Sequence, residues 1–178
     1  VAGHILGSSS VRMTLGNVPG EEVTVTFSGD LGRQEHPLLR PPAPIGDTDW
    51  IVIESTYGDR EHASDDTVDR LAELIDRTVG RGGKVIIPAF AVDRTEVLLY
   101  HLHQLSEQGR LPAVPIFVDS PMALAALSVY RDAIDGHAVD VRDDLHGDGT
   151  LFELPDPDAV LDAEGSKAVS RVSGPAIT

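Results

Sequence analysis

Between Gly58 and Met122 the chain alternates short apolar runs with stretches of helical period, and this rhythm restricts it to few folds. Val68, Leu71, Ala72, Ile75 and Val79 recur at helical spacing and predict a helix over 65–79. Ser64, Asp65 and Asp66 form a helix-start cluster, with carboxylates suited to the positive end of the helix dipole. Gly80, Gly82 and Gly83 stop that helix. Val85-Ile86-Ile87 reads as a buried strand. Val97, Leu98, Leu102 and Leu105 stripe a second helix over 93–108, and Pro115-Ile116-Phe117-Val118 is the next strand. Ser120 reads as an N-cap with Pro121 at the first helical position. Strand, helix, strand, helix in this order implies an α/β layer with parallel pairing and right-handed crossovers.

The residues before Gly58 have a different character. Residues 10–15 and 22–28 read as strands separated by the turn-rich Gly16-Asn17-Val18-Pro19-Gly20. Val23, Val25 and Phe27 alternate with Thr24, Thr26 and Ser28, a period of two that buries one face. The four prolines from Pro37 to Pro44 exclude helix and central strand. Trp50-Ile51-Val52-Ile53 is a short apolar strand that delivers Glu54 to its C-terminal end. A boundary near Gly58 therefore divides the chain into residues 1–58 and 59–178. Asp135 to Gly149 is polar and without period, and reads as a long loop or a poorly ordered segment.

Composition sets further bounds. No apolar run approaches the ~20 residues that span a bilayer, and no basic and apolar leader pattern is visible, so a cytoplasmic protein without a membrane partner is expected. With no cysteine, disulfides and thiolate metal ligands are excluded, and a metal site must use His and carboxylate. Fourteen Lys and Arg against 29 Asp and Glu give a net charge of −15, which by itself argues against a nucleic-acid surface. A local basic groove can still exist on such a background.

Three short motifs carry the chemistry. They are Gly3-His4 within Ala2-Gly3-His4-Ile5-Leu6-Gly7-Ser8, then Ser28-Gly29-Asp30-Leu31-Gly32-Arg33, then Glu54-Ser55-Thr56-Tyr57-Gly58-Asp59-Arg60-Glu61-His62. Each places a metal-binding or proton-handling side chain beside a glycine, and the last two follow strands. Three in order suggest part of a metal-centred site. Further stretches are Gly82-Gly83-Lys84-Val85-Ile86-Ile87-Pro88-Ala89-Phe90-Ala91-Val92-Asp93-Arg94-Thr95, Phe117-Val118-Asp119-Ser120-Pro121-Met122-Ala123 and, more weakly, Glu164-Gly165-Ser166-Lys167. Together they resemble the β-CASP branch of the metallo-β-lactamase fold, the RNA-cleaving and DNA-repair metallohydrolases, over nearly the whole chain.

The resemblance implies that residues 1–58 are strands of an incomplete metallo-β-lactamase sandwich and that 59–178 form the Rossmann-like β-CASP cap. It implies a zinc-dependent phosphodiesterase acting on single-stranded RNA. His4 would ligate one of two zinc ions, and Asp30 would bridge both. Glu54 would hydrogen-bond a later histidine that protonates the leaving oxygen. The family's His-x-His-x-Asp-His cluster does not occur here, so the chain is expected to be an internal fragment, inactive alone and binding zinc weakly or not at all. Half a sandwich exposes an apolar face, so that face is expected to be paired with another copy of the chain, in a homodimer, or partly disordered.

Plainer readings stand beside these. An isolated His4 could be a turn or core histidine, and Asp beside Gly, as at Asp30, is a common turn. Arg60 and His62 could contact substrate phosphate or be an exposed helix-start pair. Arg94 could contact phosphate or form a salt bridge to Asp93 or Glu96. Asp93 stands where the family often carries Gly, and its carboxylate would weaken an anion site. Ser120 is first a helix cap, although a helix N-terminus can also hold phosphate. His101 and His103, two apart on a helix, point to opposite faces and do not form a metal pair. At the level of the whole protein, the alternative to a nuclease is a non-catalytic homologue acting as scaffold subunit of an RNA-processing complex.

Overall fold

The structure is a computed structural model that describes residues 1–18, 20–60, 66–154, 157–159 and 163–178. By internal contacts the chain forms two compact units, Val1–His62 with Gly136–His146 and Ala63–Asp135 with Gly147–Thr178.

The first unit contains a three-stranded sheet of β1 (Val11–Leu15), β2 (Val23–Phe27) and β3 (Trp50–Val52) in that order. β1 and β2 are antiparallel, with Val11 opposite Phe27 and Met13 opposite Val25. β3 runs parallel to β2, with Val25 opposite Trp50 and Phe27 opposite Val52. The register and the strand period place Val11, Met13, Val25, Phe27, Trp50 and Val52 on one face. Trp50 is 67% exposed, and Val11, Met13, Phe27 and Val52 are exposed with it. This sheet face is apolar and bare.

The core of the first unit lies elsewhere. Ala2, Leu38, Leu39, Val141 and Leu145 are buried, and Leu39 forms an isolated antiparallel bridge with Val141. The proline-rich segment thus supplies core side chains without joining a sheet. The segment 136–146 departs from the loop reading: it carries a 3-10 turn at Asp143–Leu145 and two buried side chains. Val141 and Leu145 pack as separate anchors in irregular backbone, so no periodicity marks them.

The second unit is an α/β layer. Its sheet has the order β4 (Lys84–Val85), β7 (Ala176–Ile177), β5 (Ile116–Val118), β6 (Pro157–Ala159), and every pair is parallel. Helices α1 (Thr67–Gly80), α2 (Arg94–Glu107), α3 (Pro121–Asp135) and α4 (Ala163–Arg171) connect or follow the strands. The expected parallel α/β fold is therefore present. α1 ends as its glycines require: Gly82, at φ +78°, donates its N–H to the Val79 carbonyl at 2.8 Å, and Gly83 donates to Thr78 at 2.9 Å. These two bonds satisfy the last carbonyls of the helix in a Schellman motif. Pairing continues past β4, since Ile87 donates to the Thr178 carbonyl at 2.7 Å. β7 lies inside the sheet with Ala176 and Ile177 buried, and Ile75, Leu102, Leu105 and Ile134 complete the core.

Candidate active site

In the first unit, the three motifs are tied to one another through their backbones. Ser28 follows β2 and is 1% exposed. Its N–H donates to the Val52 carbonyl at 2.9 Å, and its Oγ accepts the Glu54 N–H at 3.1 Å. The end of β2 is thereby fixed against the end of β3, and Glu54 emerges beside the Ser28-Gly29-Asp30 turn. Oε1 of Glu54 accepts the Leu31 N–H at 3.1 Å, and Oε2 accepts the Thr56 N–H at 3.0 Å. These donors hold the carboxyl below its usual range, Thr56 most strongly and then Leu31, with a smaller contribution from the charge of His4; partial desolvation opposes them. A carboxylate has about four lone-pair sites, so Glu54 can still accept a further donor.

Gly32 joins the second motif to the first. Its N–H donates to the Ala2 carbonyl at 2.8 Å, and a Cβ at this position would lie 1.7 Å from the Gly3 carbonyl oxygen. Only glycine permits so close an approach. On the other side of this contact His4 begins a tight loop. Ser8 Oγ accepts the N–H groups of His4 at 3.0 Å and Ile5 at 3.3 Å. The imidazole of His4 and the carboxylate of Asp30 are both exposed. Neither side chain has a hydrogen bond or ion pair among the described residues.

An imidazole nitrogen and a carboxylate are suitable donors for zinc, but they are two where a site takes three or four. Among the described residues, no group of three or more His, Asp or Glu side chains lies together as a metal site. The donor chemistry of His4 and Asp30 suits zinc, but these two side chains do not by themselves make a site.

In the second unit, Arg94 opens α2 after a strained turn. Asp93 has φ 67° and ψ −53°, and Arg94 donates its N–H to the Val92 carbonyl at 2.9 Å, which makes a γ-turn of the rare hand. This positive φ is a physical reason for glycine at such a position. Here the Asp93 side chain is buried and accepts the Tyr130 hydroxyl at 3.0 Å. Arg94 is exposed and forms no ion pair with Asp93 or Glu96. Glu96 is 0% exposed, and neither of its carboxylate oxygens has a hydrogen-bond partner among the described residues. Burial, reinforced by the charge of Asp93, pushes its carboxyl up to about 7.

Ser120 caps α3, its Oγ accepting the Ala123 N–H at 3.2 Å. It also lines a cavity of about 560 Å³ in this unit, with Lys84, Ile87, Asp119 and Thr178 near the carboxyl ends of the parallel strands. Ligands of open parallel sheets bind at such ends. Arg60 is exposed and lies 3.6 Å from Asp59. His62 lies outside the described residues. His103 Nδ1 is 2.7 Å from the Glu153 carbonyl, and the ring of His101 lies 5.5 Å from that of Tyr100, consistent with separate packing roles.

Residues 95–178 match the Beta-Casp domain. The chain belongs to the β-CASP family. Its relatives include a ribonuclease of Thermus thermophilus, 37% identical over 177 residues, which covers 99% of this chain and 39% of the relative. An RNase J-like protein of Methanocaldococcus jannaschii is 36% identical over 75% of this β-CASP chain and 31% of its own length. Cleavage and polyadenylation specificity factor 73 of Drosophila melanogaster is 30% identical over 76% of the chain and 19% of its own length. The β-CASP chain thus spans about two fifths or less of these relatives. Among the described residues no helix is long and apolar enough to cross a membrane.

Motif reading missed the supporting residues of the site. Ser8 belongs to the first motif without a role of its own in the sequence, yet its hydroxyl organises the His4 loop. Its place four residues after His4, within a glycine-bounded loop, is a local signal for such a turn. Ser28 carried a signal in its position between a strand and Gly29.

Proposed function

We propose that this β-CASP chain is part of a longer zinc-dependent phosphodiesterase that cleaves single-stranded RNA in the cytoplasm. The observation that carries the proposal is the backbone closure of the three motifs: Gly32 against the Gly3 carbonyl, and the Leu31 N–H on Glu54. It fixes the bases of His4, Asp30 and Glu54 in one unit. The names of the Thermus and Methanocaldococcus relatives support ribonuclease activity and an RNA substrate.

His4 and Asp30 would hold zinc together with ligands from the rest of the protein. Two bound zinc ions would supply an activated hydroxide and stabilise the charge that develops on phosphorus. Glu54 would orient a histidine and raise its pKa, so that it donates a proton to the departing oxygen. Its two backbone hydrogen bonds keep the carboxylate ionised and fixed in direction. Arg94, free of Asp93 and Glu96, would pair with a substrate phosphate; Arg60, His62 and Ser120 would add phosphate contacts.

Calorimetric zinc titration and cleavage of labelled RNA test the proposal. The complete protein should bind two zinc ions and cleave, whereas residues 1–178 alone should bind zinc weakly and leave RNA intact. Tight stoichiometric binding and chelator-sensitive cleavage by the 178-residue chain would overturn the division of the site. A complete protein that binds RNA but neither zinc nor cuts would be a scaffold subunit instead.

A further inference from the structure

Gly7 donates its N–H to Oδ2 of Asp140 at 2.9 Å, across 133 positions of sequence. Asp140 belongs to the segment Gly136–His146, which packs within the first unit although second-unit segments flank it on both sides in sequence. Its backbone is firmly held. The Asp140 carbonyl accepts the Arg40 N–H at 2.8 Å, and Arg40 Nε donates to the Val141 carbonyl at 3.0 Å. Leu39 bridges Val141, and both side chains are 1% exposed. The carboxylate is therefore presented from a rigid, buried mount.

The loop it meets is the one that carries His4. Ser8 closes that loop by accepting the His4 and Ile5 N–H groups on its hydroxyl, and by donating its own N–H to the Ile5 carbonyl at 3.0 Å. These bonds set the loop's internal shape. The Gly7 bond adds an external anchor, and an ionised acceptor makes it stronger than a neutral one. Gly32 holds the start of the loop at Ala2 and Gly3, and the Gly7 bond holds its far side; without it that side loses its tie to Asp140.

We propose that Asp140 is a positioning residue for His4: it orients the His4 loop and thereby the imidazole toward a metal ion. This rests on the metal role proposed for His4. Residues that orient metal ligands typically change affinity by about 10–100-fold when removed.

The test compares Asp140→Ala and Asp140→Asn in the complete protein. Zinc affinity is read by competition with a chromophoric chelator, and the Gly7 amide by hydrogen exchange. Asp140→Ala should weaken zinc by about tenfold or more, speed Gly7 exchange and leave the thermal midpoint nearly unchanged. Asp140→Asn keeps an acceptor oxygen and should recover most of the affinity. Asp140→Ala binding zinc as tightly as wild type would overturn the proposal, as would Asp140→Asn as weak as Asp140→Ala. A wild-type protein that binds no zinc would instead remove the metal role of His4. The two failures are distinguishable because the second appears before any substitution is made.

Discussion

Glu54 Oε1 accepts the N–H of Leu31 at 3.1 Å, so a residue just beyond the third strand grips the residue that follows Asp30. The second oxygen grips Thr56 in the same way at 3.0 Å. Because the folded carboxyl titrates below the usual glutamate range, this bonding is complete above that range and fails only as pH falls through the lowered value. Amide exchange at Leu31 and Thr56, corrected for intrinsic rate, should stay protected at neutral pH and accelerate in acid. Glu54→Ala should remove the protection at every pH.

Glu96 has the opposite sign. Its carboxyl is pushed up to about 7, so the folded state holds a proton that the unfolded state releases near the ordinary glutamate value. Stability should therefore fall as pH rises from that ordinary value to about 7, then level off. Glu96→Gln should flatten this slope and stabilise the chain above neutrality by roughly 1–2 kcal/mol. Thermal midpoints of both forms across the acid-to-neutral range check it.

The turn at Asp93 combines a backbone cost with a side-chain gain. Its φ of 67° favours glycine, and its carboxylate accepts the Tyr130 hydroxyl. Tyr130→Phe should destabilise by about 1–3 kcal/mol, because a buried acceptor loses a donor. In that background, Asp93→Gly should recover about 1 kcal/mol by relieving the turn. Denaturant unfolding of the two variants measures the difference.

Gly32→Ala should be severe. The added methyl would meet the Gly3 carbonyl oxygen at 1.7 Å, and that neighbour is backbone, which cannot rotate aside as a flexible side chain would. The segment bearing His4 must then move away from the one bearing Asp30. We expect a loss of at least about 2 kcal/mol of stability, together with weakened zinc binding in the complete protein. Unfolding curves and zinc competition would show it.

Regular elements were legible because their signals are local. The helical stripes predicted α1 and α2, and the alternation of Val23, Val25 and Phe27 predicted β2. The motifs identified His4, Asp30 and Glu54 as candidates because each sits beside a glycine or at the end of a strand. What holds them was less legible. Asp140 reaches Gly7 over 133 positions, and nothing in its neighbours marks that bond. The placement of β7 between β4 and β5 was equally hidden, since a two-residue ladder has too few side chains to show a period.

The bare face of the first sheet also carries its own optical reporter. Trp50 is the chain's sole tryptophan and is 67% exposed on that face. Indole emission shifts to shorter wavelength when water is excluded, so the colour of intrinsic fluorescence registers whether the face is covered. A concentration-dependent blue shift would signal a second copy settling there, and a constant blue emission in the complete protein would signal cover from its own remaining chain. No dye or label is needed to tell the two apart.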